Sequence, residues 1–160
     1  MSSGYTAIGA AVLNEELSNA LRKYEDASAT FAWTPLACCI TKANIELILK
    51  EDLPANAASQ GNYLLEEVRA LFHQHLPVQT GEVRGLGLMI GIDLVQSISF
   101  KVPAKKLIQR FIITALRKNL MVCSSWDLQT LIFMPPLNIT RGEINEGLNK
   151  IESTLQSLAE

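Results

Sequence analysis

The chain has 160 residues, of which 48% are hydrophobic and 19% charged, with a formal net charge of −2 at pH 7. It is long enough for a sizeable core, and the small net charge without a basic cluster argues against nucleic acid or an anionic membrane as partner. Its apolar runs are shorter than the roughly 18 residues that span a bilayer, and its start lacks the features of a signal peptide. We therefore expect a cytoplasmic protein whose three cysteines are reduced and buried.

The first part of the chain predicts a strand and a short helix. Residues 6–13 form an apolar run of strand length, which is typical of a strand buried on both faces. Asn14, followed by two glutamates, is a suitable cap for a helix that is expected to end near Tyr24. Residues 25–29 are predicted to form a loop.

Two longer helices are predicted next. Thr34 can cap the first of them through its hydroxyl oxygen, and Pro35 suits the first turn because its missing N–H has no helical partner there. This helix should end near Leu49. Its predicted apolar stripe comprises Leu36, Cys39, Ile40, Ala43, Leu47 and Ile48. The following helix is expected from Pro54 to just before Pro77. Its stripe comprises Leu64, Val68, Leu71 and Phe72.

The second half of the chain alternates between strands and helices. Residues 82–84 and 86–95 are predicted to be strands, and Pro103 opens a helix. The residues expected on the buried face of this helix are Leu107, Phe111, Ile112 and Ala115. Two short apolar runs, residues 120–123 and 128–134, predict a pair of strands joined by a polar turn.

The last helix is marked by a capping box formed by Thr140 and Glu143. Its apolar stripe comprises Ile144, Leu148, Ile151, Leu155 and Leu158. The order of elements predicts an α+β fold, in which an antiparallel sheet of three or four strands is covered by helices.

Four motifs, in order along the chain, carry a resemblance. Residues 30–38 read Thr-Phe-x-x-x-Pro-Leu-Ala-Cys, and residues 2–10 begin with Ser-Ser-Gly-Tyr. Residues 83–89 read Val-Arg-Gly-Leu-Gly-Leu-Met, and residues 135–140 read Pro-Pro-Leu-Asn-Ile-Thr. Together they resemble the C-terminal part of class III aminotransferases, the ornithine, acetylornithine and 4-aminobutyrate group of pyridoxal-phosphate (PLP) enzymes. On spacing alone, residues 30–39 are explained by a well-capped buried helix after a loop.

The resemblance implies a domain organisation and a partner. A typical family chain is more than twice as long and has fold type I. Residues 1–33 would be a remnant of the large PLP-binding domain, residues 34–76 linking helices, and residues 77–160 the small α+β domain. A homodimer, or a missing N-terminal half, is the partner that the resemblance implies.

The resemblance assigns one cofactor-binding residue and no catalytic residue. Thr30 matches the threonine that binds the PLP phosphate of the neighbouring subunit through its hydroxyl and backbone N–H; without a ligand it is a loop threonine. The PLP lysine would lie just before Ser2, and the first lysine here is Lys23. We therefore expect no covalent PLP on this chain and no activity from the chain alone. Ile132 stands where many relatives have an arginine for the substrate's carboxylate, and isoleucine cannot make that bidentate contact.

Two other patterns predict no further site. His73 and His75 are two residues apart on a predicted helix and do not share a face, so a solvated helix end is expected and no metal site. The Gly-x-Gly of residues 85–87 lacks a following helix pattern and does not predict a dinucleotide loop. Arg84, which precedes it, is expected to be structural or interfacial.

Two functions remain open: transamination when an N-terminal half complements the chain, and a non-catalytic module that dimerises or binds a partner.

Overall fold

The computed structural model describes residues 1–21 and 34–159. Helices α1 (Glu15–Leu21), α2 (Pro35–Lys50) and α3 (Leu53–His75) precede strands β1 (Thr80–Leu86) and β2 (Met89–Leu94). They are followed by α4 (Lys105–Arg117), β3 (Cys123–Ser124), β4 (Thr130–Phe133) and α5 (Arg141–Ala159). The predicted α+β class with an antiparallel sheet is confirmed.

The chain divides into two compact units, Met1–Asp52 and Leu53–Glu160. The second unit contains α3 together with the sheet and the last two helices. The three-part division at residues 33 and 76 refers to the domains of longer relatives, and it stays a prediction.

The sheet has the strand order β1-β2-β4-β3, and each neighbouring pair is antiparallel. Along β2 every second side chain is fully buried, namely Ile90, Ile92 and Leu94. Ile92 pairs with Val83 in β1 and with Leu131 in β4, and both of these residues are buried as well. The buried face is therefore continuous across three strands.

Helices α3, α4 and α5 cover this face of the sheet and supply most of the core. Phe72 of α3 lies 5.5 Å from Phe111 of α4 and 6.5 Å from Phe133 of β4, measured between ring centroids. Tilted and edge-to-face pairs of this kind add to the stabilisation from burial alone. The predicted stripe of α5 is confirmed, since Ile144, Leu148, Ile151, Leu155 and Leu158 are all buried.

The predicted helix caps are present. The Thr34 hydroxyl accepts a hydrogen bond from the Ala37 N–H at 3.3 Å. In the capping box of α5, the Glu143 N–H donates to the Thr140 hydroxyl at 3.3 Å and the Thr140 N–H donates to Glu143 Oε2 at 2.8 Å. The bonds from Thr140 hold the pKa of Glu143 below its ordinary value. Sequence signals at these helix starts are local, which explains why they could be predicted.

The Gly-x-Gly pattern has a packing role. Helix α3 approaches the turn between β1 and β2 so closely that a Cβ atom on Gly61 would lie 2.1 Å from the carbonyl oxygen of Gly87. Gly87 has a φ of +54°, a conformation that glycine adopts without steric cost. The two glycines therefore permit a backbone contact that a larger residue at position 61 would block.

The prediction of a buried strand at residues 6–13 is wrong. These residues have no regular secondary structure, and the side chain of Val12 is 96% exposed. A strand needs a neighbour for its backbone N–H and C=O groups, and the described residues of Met1–Asp52 contain no other strand. The start of α1 after Asn14 is confirmed, because Asn14 Oδ1 accepts from the Leu17 N–H at 2.9 Å. The predicted end of α1 and the loop at 25–29 lie outside the described residues.

Helix α2 has the predicted bounds but not the predicted burial. Its buried residues are Ala37 and Thr41, whereas Leu36 and Leu47 of the predicted stripe are exposed. All three cysteines, Cys38, Cys39 and Cys123, are exposed as well, so the prediction of buried thiols is wrong. A small apolar residue becomes buried only where another element covers its face, and α1 is the one other helix in the described residues of Met1–Asp52.

Candidate functional site

The face of the sheet opposite the core carries the residues with functional chemistry. Strand alternation places Met89, Gly91 and Asp93 of β2 on this open face, because their neighbours in the strand are buried. The strand pairing sets Arg84 beside Gly91, and Gly91 beside Ile132. The row across the three strands therefore consists of the cation of Arg84, Gly91, which has no side chain, and the apolar side chain of Ile132.

A hydrogen-bonded network fixes the guanidinium group of Arg84. Its Nη1 atom lies 2.7 Å from Asp93 Oδ2 and 3.3 Å from Glu82 Oε2, and the Thr130 hydroxyl donates to Asp93 Oδ1 at 2.6 Å. Burial raises the pKa of Asp93, but the hydrogen bonds from Arg84 and Thr130 outweigh it and hold this pKa below its ordinary value. The network supports the structural role expected for Arg84. No sequence motif marks Asp93 or Thr130, although the alternation along β2 is a signal that places Asp93 on the open face.

Ile132 lies in a cavity of about 470 Å³ on this open face. The cavity is lined by Arg84, Gly85, Met89, Ile90, Gly91, Ser125, Thr130 and Ile132. The side chain of Ile132 makes this part of the wall apolar, and the cation of the cavity wall, Arg84, is already paired with two carboxylates. At Ile132 the cavity therefore suits an apolar or uncharged group better than a carboxylate.

The residues that would hold PLP are not brought together in the described part of the chain. Thr30 lies outside the described residues. In the Ser-Ser-Gly motif, the Ser2 hydroxyl donates to the Thr6 carbonyl and the Ser3 hydroxyl to Asn44 Oδ1 at 2.7 Å, so both are engaged within Met1–Asp52. Residues 1–21 contain no lysine. This segment therefore does not fit a covalently held PLP.

The two histidines at the end of α3 have separate environments. His73 Nδ1 lies 2.9 Å from the carbonyl oxygen of Arg69, whereas His75 Nε2 lies 3.7 Å from Glu152 Oε1. The side chain of His75 is only 16% exposed, so the predicted solvated helix end describes His73 and is wrong for His75. Within the residues that the structure describes, no group of three or more His, Cys, Asp or Glu side chains is arranged to hold a metal ion.

Two solved aminotransferase structures share the fold of this chain. A Bacillus anthracis aminotransferase matches with a TM-score of 0.77 and 26% identity, over 91% of this chain and 34% of that chain. An amine transaminase from an uncultivated Pseudomonas species, in its PLP-bound internal aldimine form, matches with a TM-score of 0.76 and 28% identity, over 90% of this chain and 34% of that chain. The fold is thus that of part of a fold-type I aminotransferase.

Sequence comparison identifies the family. The model of the family described as Aminotransferase class-III matches residues 1–155. Ornithine aminotransferase 2 of Staphylococcus aureus strain Mu50 is 32% identical over 128 residues, which are 80% of this chain and 28% of that protein. The chain belongs to the class-III aminotransferase family, and it spans about a third of the length of the relatives that it matches. In residues 1–21 and 34–159, no helix is both long and apolar enough to cross a membrane.

Proposed function

We propose that this chain is the C-terminal part of a PLP-dependent, cytoplasmic aminotransferase, and that it takes part in transamination only when a complementary N-terminal part is present. The observation that carries the proposal is the family match over residues 1–155, combined with coverage of about a third of the relatives. PLP supplies the electron sink of the reaction when it is bound. Because residues 1–21 contain no lysine, the proposal assigns the amine that holds the cofactor covalently to the complementary part.

Two residues of this chain have proposed roles in the complete site. Thr30 donates its hydroxyl and backbone N–H to the PLP phosphate of a neighbouring subunit in a homodimer. Ile132 forms an apolar wall of the substrate cleft, and its lack of a guanidinium favours substrates without a carboxylate at that position. The cavity around Ile132 on the open sheet face supports the second role.

We expect the chain alone to form no stoichiometric covalent adduct with PLP. The chain would be mixed with PLP, reduced with borohydride and mapped by peptide mass spectrometry. The same chain would then be combined with the N-terminal part of the Staphylococcus aureus relative, which should restore both a PLP adduct on that part and transamination. A site-specific adduct on one lysine of the isolated chain would contradict the proposal.

The role of Thr30 has its own control in this complemented assembly. A Thr30→Val variant should bind PLP about tenfold more weakly, because a hydrogen bond to a charged group contributes about 1.5–3 kcal/mol. Thr114→Val, on helix α4, should bind PLP as the unsubstituted chain does.

A non-catalytic dimerisation module is the second candidate, and the exposed apolar side chains of Met1–Asp52 favour it. Leu36 is 70% and Leu47 46% exposed, and because they are about three turns apart on α2 they share one helix face; exposed apolar surfaces commonly mark interaction sites. We expect sedimentation to show a dimer at tens of micromolar, weakened by the double variant Leu36→Gln and Leu47→Gln. Leu86→Gln, an exposed position of β1, serves as the control. A 17.6 kDa monomer would rule out this candidate.

A further inference from the structure

A second cavity lies where the end of α3 meets β1, β2 and the connection before α4. Its volume is about 410 Å³, within the range of small-molecule sites. It shares no lining residue with the cavity around Ile132. Its wall includes charged and polar groups, namely His73, Glu82, Asp93 and Lys101, and apolar groups such as Ile98 and Pro103.

One part of the wall presents hydrogen-bond acceptors. Glu82 and Asp93 contribute carboxylates, and Arg84 contacts both through the single nitrogen Nη1. The Thr130 hydroxyl donates to the other Asp93 oxygen, and Glu82 Oε1 has no hydrogen bond from another described residue. The Nδ1 atom of His73 lies 2.9 Å from the Arg69 carbonyl oxygen, so its other ring nitrogen, Nε2, is the one not engaged in this contact. A primary ammonium group, which only donates, is complementary to the two carboxylates.

The connection before α4 presents the opposite charge. Lys101 lines the cavity, and no carboxylate of the described residues lies within 4.0 Å of its ammonium group. Its backbone has a φ of +50°, which is uncommon for a residue other than glycine. This conformation is held by the Lys101 N–H, which donates to the Ser97 carbonyl at 3.1 Å, and by the neighbouring Gln96 N–H, which donates to the Val102 carbonyl at 2.7 Å.

We propose that this cavity binds a small zwitterion, with its ammonium group towards Glu82 and Asp93 and its carboxylate towards Lys101. The two carboxylates of the wall are balanced by Arg84 and Lys101, so a ligand without net charge suits the site. The apolar surfaces of Ile98 and Pro103 suit the methylene groups between the two charges. This site does not depend on PLP or on the proposed aminotransferase function, because all of its lining residues belong to Leu53–Glu160.

The test is an NMR amide-shift titration of the full chain with glycine, β-alanine and γ-aminobutyrate, which differ in the separation of their charges. We expect saturable shifts at residues of the cavity for at least one zwitterion, with a millimolar dissociation constant. Butyrate and butylamine, each with one of the two charges, should bind at least about tenfold more weakly. If no amide of the cavity shows a saturable shift at zwitterion concentrations of about ten times a millimolar dissociation constant, the proposal is overturned.

Two variants locate the two ends of the ligand. Lys101→Asn removes the ammonium group and keeps a residue that tolerates positive φ, and Glu82→Gln removes one carboxylate with little change in shape. Each should weaken zwitterion binding about tenfold, as expected for the loss of a partner worth about 1.4 kcal/mol. Lys42→Gln, an exposed lysine of α2, is the control and should bind as the unsubstituted chain does. Unchanged binding in both variants, or loss in only one of them, overturns the zwitterion assignment.

Discussion

Replacing Gly61 by alanine is expected to destabilise Leu53–Glu160 by about 3 kcal/mol or more. The added Cβ atom would lie 2.1 Å from the Gly87 carbonyl oxygen and 2.2 Å from its carbonyl carbon, so α3 or the turn between β1 and β2 has to move. Because both contact atoms belong to the backbone, no side-chain rotation relieves the clash. The free energy of unfolding, measured by urea denaturation, checks this expectation.

Gly147→Ala is the matched control for this substitution. Gly147 also lies inside a helix, α5, but a Cβ atom there would meet no heavy atom within 4 Å. Alanine is favoured over glycine in a helix interior by about 0.5–1 kcal/mol, so this variant should be slightly more stable than the unsubstituted chain. Equal stability of the Gly61→Ala and Gly147→Ala variants would contradict the close contact between α3 and the turn.

Leu148→Ala is expected to cost about 2–5 kcal/mol, because it leaves a cavity beneath α5. Leu148 is 7% exposed and lies in the middle of the buried stripe of this helix. Ile8→Ala should cost clearly less, since Ile8 is only half-buried and its segment has no regular structure. Urea denaturation measures both differences.

Amide hydrogen exchange checks independently whether Leu53–Glu160 is more stable than the segment of residues 6–13. Amides of β2 take part in pairs with two neighbouring strands, so they should exchange slowly. Amides of residues 6–13 should exchange quickly, unless a partner orders them. If residues 6–13 were as protected as β2 in a verified monomer, the assignment of stability to Leu53–Glu160 would be wrong.

The sequence was most informative where the signal is local. Helix α5 was predicted from two local signals, the capping box of Thr140 and Glu143 and the apolar stripe that includes Leu148. Both signals depend on residues within one or two helical turns of each other. The prediction of a strand at residues 6–13 was wrong for the opposite reason. An apolar run shows that a segment tends to be buried, but whether it forms a strand depends on a neighbouring strand that the run itself does not specify.

The candidate sites were only partly predictable. Ile132 was proposed from the resemblance, by its position three residues before the Pro-Pro-Leu motif. The network of Arg84, Asp93 and Thr130 depends on the register of three strands, in particular on the pairing of Asp93 with Thr130. The cavity at Lys101 depends on a left-handed backbone conformation, for which a lysine gives no signal.

The two edges of the sheet have a consequence for how copies of this protein associate. The outer strand β1 carries the charged residues Glu82 and Arg84 and has an irregular register between Thr80 and Val83, while β3 at the other edge has two residues. Charges, bulges and short length are features that prevent a sheet edge from pairing with another sheet. Association of two copies by strand addition at a sheet edge is therefore disfavoured. Copies that associate through helical surfaces do not pair their sheets, and such pairing is what leads to aggregation.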